Sequence, residues 1–187
     1  MFLSKWDYLL RFGWLSELTR FRVKLGFVVG AVAFWMATPN FSSLGFGISI
    51  ATVGEALRVW AAGHLRKGQE VTSSGPYRLI RHPLYFGSSI IGIGVLVIAA
   101  NLIVSAIVSG YLVLTLWAAA REEETRLRLV FGEEYENYRR GTVKLSKRKF
   151  SIERMINNGE HRTLLGFLIG FIILGMKAWL IQFEVGS

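Results

Sequence analysis

Cysteine is absent from all 187 residues. That excludes disulfides, thiolate nucleophiles and Cys-type zinc sites together. Histidine is sparse (His64, His82 and His161), and Asp7 is the one aspartate. No metal centre is expected from ligands so few and so scattered, because a zinc site needs three or four converging donors. Charge is missing from two long runs: no Lys, Arg, Asp or Glu lies between Lys24 and Glu55 or between His82 and Arg121. Each run exceeds the ~20 residues that a membrane helix needs. A cleavable signal peptide is not expected either. The N-terminal segment carries Lys5, Asp7, Arg11, Glu17, Arg20, Arg22 and Lys24, with no apolar core ahead of a small-residue cleavage site.

What the sequence does have is a single domain's length, 52% apolar residues and a net charge of +9. The placement of that charge argues against a nucleic-acid partner. Lys and Arg gather in the segments that flank the apolar runs, which is the positive-inside pattern of a membrane protein meeting anionic headgroups. Residues 1–20 mix cations with Phe2, Trp6, Tyr8, Phe12 and Trp14, as an interfacial helix would.

The first apolar block breaks at Thr38-Pro39-Asn40, since Pro removes a helix donor and Pro-Asn favours a turn. Helices are predicted over Phe21–Ala37 and Ser43–Leu65. Glu55 and Arg58 on the second stand at i,i+3, either as a satisfied intrahelical pair or as part of a site. Tyr85–Ala120 reads as a second hairpin turning at Asn101, with Gly87, Gly92, Gly94 and Gly110 allowing close helix packing. Arg121–Arg140 is helical in pattern. Ser151 caps a short helix ending near Asn158-Gly159, and Thr163–Phe183 is a last span in which Lys177 snorkels. The fold expected is therefore all-α and integral to the membrane. It has about five spans in two hairpins plus a C-terminal span at 163–183, an interfacial N-terminal helix, and a cytoplasmic helical segment after span four. Five Lys and Arg precede the first span, five run from Arg58 to Arg81, and eleven lie in 121–162, whereas the turns near Asn40 and Asn101 hold none. That asymmetry places the N-terminus and both polar clusters on the cytoplasmic side.

Those clusters are GPYRLIRHPLY, Gly75–Tyr85, and REEETRLRLVFGEEYENYRR, Arg121–Arg140. Ionisable groups beside lipid are functional suspects. His82 precedes Pro83, which fixes where a helix can start. Tyr77 and Tyr85 offer aromatic faces and hydroxyls, and Arg78 and Arg81 can hold a carboxylate or phosphate. Glu122, Glu123 and Glu124 crowd three negative charges into one turn. Their partner is either Arg121, Arg126 and Arg128, or a cationic ligand.

GPYRLIRHPLYFG followed about 35 residues later by EEETRLRLVFGEEYENY resembles the isoprenylcysteine carboxyl methyltransferase family, within a broader group of small membrane methyltransferases that includes phospholipid N-methyltransferases. The resemblance covers residues 53–143, the expected catalytic core. It implies S-adenosylmethionine as cofactor, bound between the two motifs, with Tyr77, Arg78, His82, Tyr85, Glu123 and Glu124 as its cofactor-binding residues. Carboxylates would attract its ammonium and sulfonium, Arg or His its carboxylate, and aromatics its adenine. The acceptor would be lipophilic or lipid-linked. Eukaryotic relatives carry a carboxylate-orienting Arg just after the Y-x-x-Y motif, here Tyr135 and Tyr138. Gly141 occupies that position, and the neighbouring Arg139 and Arg140 are the candidate catalytic cations. A span like 163–183 is not usual in that family. A membrane reductase using a nicotinamide cofactor and a non-catalytic membrane scaffold are the alternatives. Small-residue helix faces leave the oligomeric state open.

Overall fold

The computed structural model describes Phe21 and residues 24–186, with side chains up to Phe183. The expected interfacial helix at 1–20 lies outside these residues. All regular structure among them is helical: α1 (Lys24–Met36), α2 (Phe41–His64), a 3₁₀ turn (Gly75–Arg78), α3 (Pro83–Ala99), α4 (Leu102–Phe131), α5 (Glu133–Arg140), α6 (Ile152–Asn157) and α7 (Glu160–Gly186). Three of them are long and apolar enough to cross a membrane, namely α2, α4 and α7, while α1 and α3 are shorter apolar helices. The molecule is an integral membrane protein on this ground. Among the described residues, three helices thus have the length of a full span, while α1 and α3 are the shorter helices at the other two of the five expected spans.

Local chemistry sets the breaks. Asn40 accepts from the Ser43 amide at 2.8 Å while the Ser43 hydroxyl accepts from the Asn40 amide at 3.0 Å, a reciprocal cap that starts α2 just after Pro39. Asn101 caps α4 at the amides of Ile103 and Val104, and its amide nitrogen donates to the Met36 carbonyl at 3.2 Å. One asparagine thus turns the chain and ties that turn to the end of α1. Arg121 does not begin a new helix. α4 runs unbroken from Leu102 through the Glu cluster to Phe131, about 45 Å at 1.5 Å per residue. Ala118–Ala120 and the Arg and Glu residues after them are all strong helix formers, so nothing in the sequence stops it. The break comes at Gly132 (φ 49), after which α5 begins.

α2 and α3 pack backbone to backbone. A Cβ on Gly54 would sit 2.6 Å from the Gly87 carbonyl oxygen, and one on Gly94 would sit 2.5 Å from that of Gly47. Gly92 likewise admits Leu112 of α4. Gly110 faces open space, so it is not one of the packing glycines. Ala33 of α1 and Ala37 just after it bury against Ala99, Val104 and Val108. Lys177 on α7 reaches the end of a neighbouring helix. Its ammonium donates to the Phe34 carbonyl and, at 3.0 Å, to that of Trp35, at the C-terminal end of α1 where helix carbonyls lack partners.

The C-terminal end of α2 is tied down by a later part of the chain. Asn158 donates to the Ala62 and Leu65 carbonyls, each at 2.9 Å, Arg154 Nε to Gly63 and Arg148 to His64, both also at 2.9 Å. These bonds satisfy carbonyls that the helix itself leaves open. They also bring Glu160, the first residue of α7, down onto α2.

Candidate functional site

The site begins with the two prolines of the first motif. Pro76 opens the 3₁₀ turn, which buries Tyr77 and turns Arg78 outward. Gly75 precedes it at φ +56, and a Cβ there would meet the His64 ring at 2.5 Å, so both conformation and space require glycine. His82 is the residue before α3, with Pro83 at the first helical position. Its side chain makes no capping bond, which leaves both ring nitrogens for the Glu run.

The two motifs meet there. His82 Nε2 lies 3.2 Å from Glu124 Oε1, Nδ1 lies 3.8 Å from Glu123 Oε2, and Arg81 approaches Glu124 at 4.0 Å. The His82 ring stacks on Tyr85 at 5.8 Å between centroids. Of the expected arginine partners of the Glu run, Arg128 pairs with Glu136 at 3.0 Å and Arg121 lies over the Trp117 ring, while the positive charge of Arg126 acts on Glu123, beside which it lines two cavities. From α5, the Tyr138 hydroxyl donates to the Tyr77 carbonyl at 2.7 Å, tying the second motif to the first.

Burial alone would lower the His82 pKa. Hydrogen bonding and charge from Glu123 and Glu124 outweigh it, and the net direction is upward. Burial drives the tyrosines up. Tyr135 is raised to about 12, with Glu124 adding to the effect, and Tyr138 also to about 12. Tyr77 goes well above its usual range for the same reason, reinforced by Glu123. All three are therefore neutral hydroxyls near pH 7, able to donate hydrogen bonds and not to act as phenolate bases.

Among the described residues, four cavities lie at this junction or adjoin it. The largest of them, about 650 Å³, is lined by Tyr85, Glu122, Glu123 and Arg126 and also by Arg58 and Glu160. Its volume falls within the range of small-molecule sites. A smaller one of about 160 Å³ shares Glu123 and Arg126 with it and adds Tyr77, Tyr135 and Tyr138. The Tyr135 hydroxyl there is buried with no hydrogen-bond partner, which a ligand acceptor group would satisfy. An apolar groove of about 620 Å³ between α1, α3, α4 and α7 meets the first cavity at Ser88, Tyr111 and Leu112. A fourth, of about 310 Å³, holds His82, Glu124 and Arg139. Arg78 and Arg140 are exposed and line none of the four. Gly141 closes α5 at φ +76, a left-handed cap that an arginine would strain.

One group could not be read from local sequence. Arg58 forms a two-pronged pair with Glu160 at 2.8 and 3.1 Å, keeps Glu55 at 3.8 Å, and also donates to the Ser88 hydroxyl. Arg58, Ser88 and Glu160 all line the largest cavity. The i,i+3 spacing of Glu55 and Arg58 pointed to the arginine, but its main partner lies 102 residues away.

Among the described residues, no group of three or more His, Asp or Glu is arranged to hold a metal ion. The profile of the phospholipid methyltransferase family matches residues 21–134. A cobalt-zinc-cadmium resistance protein, CzcN of Cupriavidus metallidurans, is 36% identical over 131 residues, covering 64% of this chain and 58% of its own. A nickel-cobalt-cadmium resistance protein, NccN of Alcaligenes xylosoxydans xylosoxydans, is 29% identical over 142 residues, covering 68% of this chain and 65% of its own. The chain thus spans less than two thirds of the length of these relatives. No solved structure matches it significantly. With the profile covering more than half of the chain, including both motifs that meet at His82 and Glu124, this protein belongs to the phospholipid methyltransferase family.

Proposed function

We propose that the protein transfers a methyl group from S-adenosylmethionine to a lipophilic acceptor in the membrane. The observation that carries this is the double role of Glu123: it lines both the large cavity and the small one beside it. A cofactor with a cationic centre, an amino acid end and an adenine suits a pair of joined cavities with carboxylates at their junction and tyrosines around it. The unpartnered Tyr135 hydroxyl supports the fit. When bound, the cofactor supplies a methyl on a sulfonium, open to displacement by a nucleophilic atom of the acceptor.

The chain's own residues align and exclude water. Glu123 attracts the cationic part of the donor. His82 holds the Glu123 and Glu124 carboxylates in place, and Tyr85 backs its ring. Tyr77 and Tyr135 donate hydrogen bonds from the small cavity. The apolar groove that joins at Ser88, Tyr111 and Leu112 accommodates the acceptor's hydrocarbon, which reaches it sideways from the bilayer. Of the two candidate acceptor-orienting cations, both exposed, Arg139 is the better one, since it shares a cavity with His82. We assign the core to 53–143, with the α1 and α3 helices as two further, shorter spans. The cationic segments and the active site face the cytoplasm, as the charge asymmetry favours.

The test is thermal stabilisation of the purified chain by S-adenosylhomocysteine and, in parallel, by nicotinamide dinucleotides. A shift with the first alone is expected. A shift with the nucleotides alone would establish a reductase, and no shift with either would leave a scaffold. Labelled methyl transfer on membranes then identifies the acceptor.

A further inference from the structure

We infer that the cavity of about 310 Å³ on the far side of His82 is a second binding site, for the phosphate group of an anionic lipid. Four guanidinium groups from three segments converge on it: Arg81 ahead of α3, Arg121 and Arg128 on α4, and Arg139 on α5. Glu124 is the carboxylate in its wall. Glu136 stands just behind, bridging Arg128 at 3.0 Å and Arg139 at 3.4 Å. Four positive charges against these two carboxylates leave a surplus of two, before any proton on His82. An isolated surface pair would have no such excess.

The arginines are held but not used up. Each guanidinium has five N–H donors in a planar fork. Arg128 engages Glu136 through Nε, Arg139 engages it through Nη1, and Arg81 stands 4.0 Å from Glu124. Arg121 rests 5.7 Å from the Trp117 ring. Forks that converge from different directions suit tetrahedral phosphate oxygens better than a planar carboxylate.

The surroundings point to a lipid rather than a soluble phosphate. Val113, Trp117 and Arg121 follow one another at i,i+4 steps on one face of α4. Val113 is 68% exposed and Trp117 48%, at the end of the charge-free run. A tryptophan at such a boundary marks the headgroup level, with the bilayer's hydrocarbon on one side and its anionic surface on the other. A lipid bound here would set its phosphate among the arginines and lay its acyl chain along Val113. The site shares Arg139 with the acceptor reading above, so its test uses Arg121 and Arg128, which that reading does not employ.

The experiment is equilibrium binding of a fluorescent short-chain phosphatidylglycerol to the full chain in dodecyl maltoside micelles. A choline-headgroup analogue and inorganic phosphate serve as competitors. The variants are Arg121→Gln/Arg128→Gln and, as a control of equal charge change, Lys144→Gln/Lys147→Gln in the exposed basic stretch. Loss of two charge-assisted contacts should weaken binding about tenfold or more, with the control within about twofold. Circular dichroism melts check that both fold, and Arg121→Lys/Arg128→Lys, which keeps charge but not the fork, should fall between. Equal weakening by both glutamine variants would reduce the effect to general surface charge and overturn the site. Displacement by inorganic phosphate or the choline analogue as readily as by unlabelled phosphatidylglycerol would overturn the assignment to an anionic lipid.

Discussion

His82 Nε2 stands 3.2 Å from Glu124 Oε1, while its other nitrogen faces Glu123 at 3.8 Å. One imidazole is therefore shared by two carboxylates, with Arg81 and the Tyr85 ring as its other neighbours. The folded-state pKa of His82 is raised, so its ionic contribution is complete below the unfolded value of about 6.5 and disappears as pH climbs through the folded value. The thermal midpoint should fall as pH is raised from about 6 to about 9. His82→Gln should remove that slope. A variant that keeps the slope would assign it to another group.

The two carboxylates divide the work. Glu123 lines both cavities and Glu124 holds His82 from the other side. Calorimetry with S-adenosylhomocysteine should show Glu123→Gln weakening binding about tenfold or more, the effect of losing a charged partner. Glu124→Gln should weaken it less and instead flatten the pH dependence of stability. Unchanged affinity in Glu123→Gln would sink its assignment to the cofactor.

The meeting of these residues was legible in the sequence because it rests on local signals and charge counting. Pro83 fixes the start of α3, the Glu run follows the next apolar block, and cationic flanks put both on one side. Asn40 and Asn101 were legible for the same reason, as polar residues that cap helices inside apolar runs. What escaped is non-local. No pattern joins Glu160 to Arg58 across 102 residues, and nothing in Asn158 or Arg154 announces that they cap α2. Composition also could not separate a full span from a short apolar helix in α1 and α3. The helix formers after Ala120 hid the fact that the fourth span and the Glu-rich segment are one helix.

Gly54 and Gly110 give opposite predictions. Both lie inside helices, where alanine is intrinsically favoured over glycine by up to about 1 kcal/mol. At Gly54 the added methyl meets the Gly87 carbonyl at 2.6 Å, a backbone atom that cannot swing aside, so Gly54→Ala should destabilise by about 1–3 kcal/mol. At Gly110 nothing stands within 4 Å, so Gly110→Ala should be neutral or stabilising. Thermal melts in detergent compare the two. Equal effects would contradict the close α2–α3 packing.

Arg58 holds two carboxylates of unequal standing. Glu160 receives its fork at 2.8 and 3.1 Å, whereas Glu55 lies at 3.8 Å with neither oxygen hydrogen-bonded. Removing one partner of a buried pair costs about 3–5 kcal/mol, since the remaining charge loses its compensation. Glu160→Gln leaves Arg58 with Glu55 still beside it, so its loss should fall at or below the lower end of that range. Arg58→Met leaves both Glu55 and Glu160 unpaired and should cost more. Neutralising all three, as Glu55→Gln/Arg58→Met/Glu160→Gln, should recover much of the loss, because no buried charge then lacks a partner. The order expected in thermal melts is Arg58→Met least stable, Glu160→Gln next, and the triple variant above Arg58→Met. If the triple variant melts below Arg58→Met, packing and not charge is what Arg58 provides. The same series bears on α7, which begins at Glu160 and lies beyond residues 21–134 that the family profile matches. This pair fixes the start of α7 on α2, so Glu160→Gln should also raise protease sensitivity between α6 and α7.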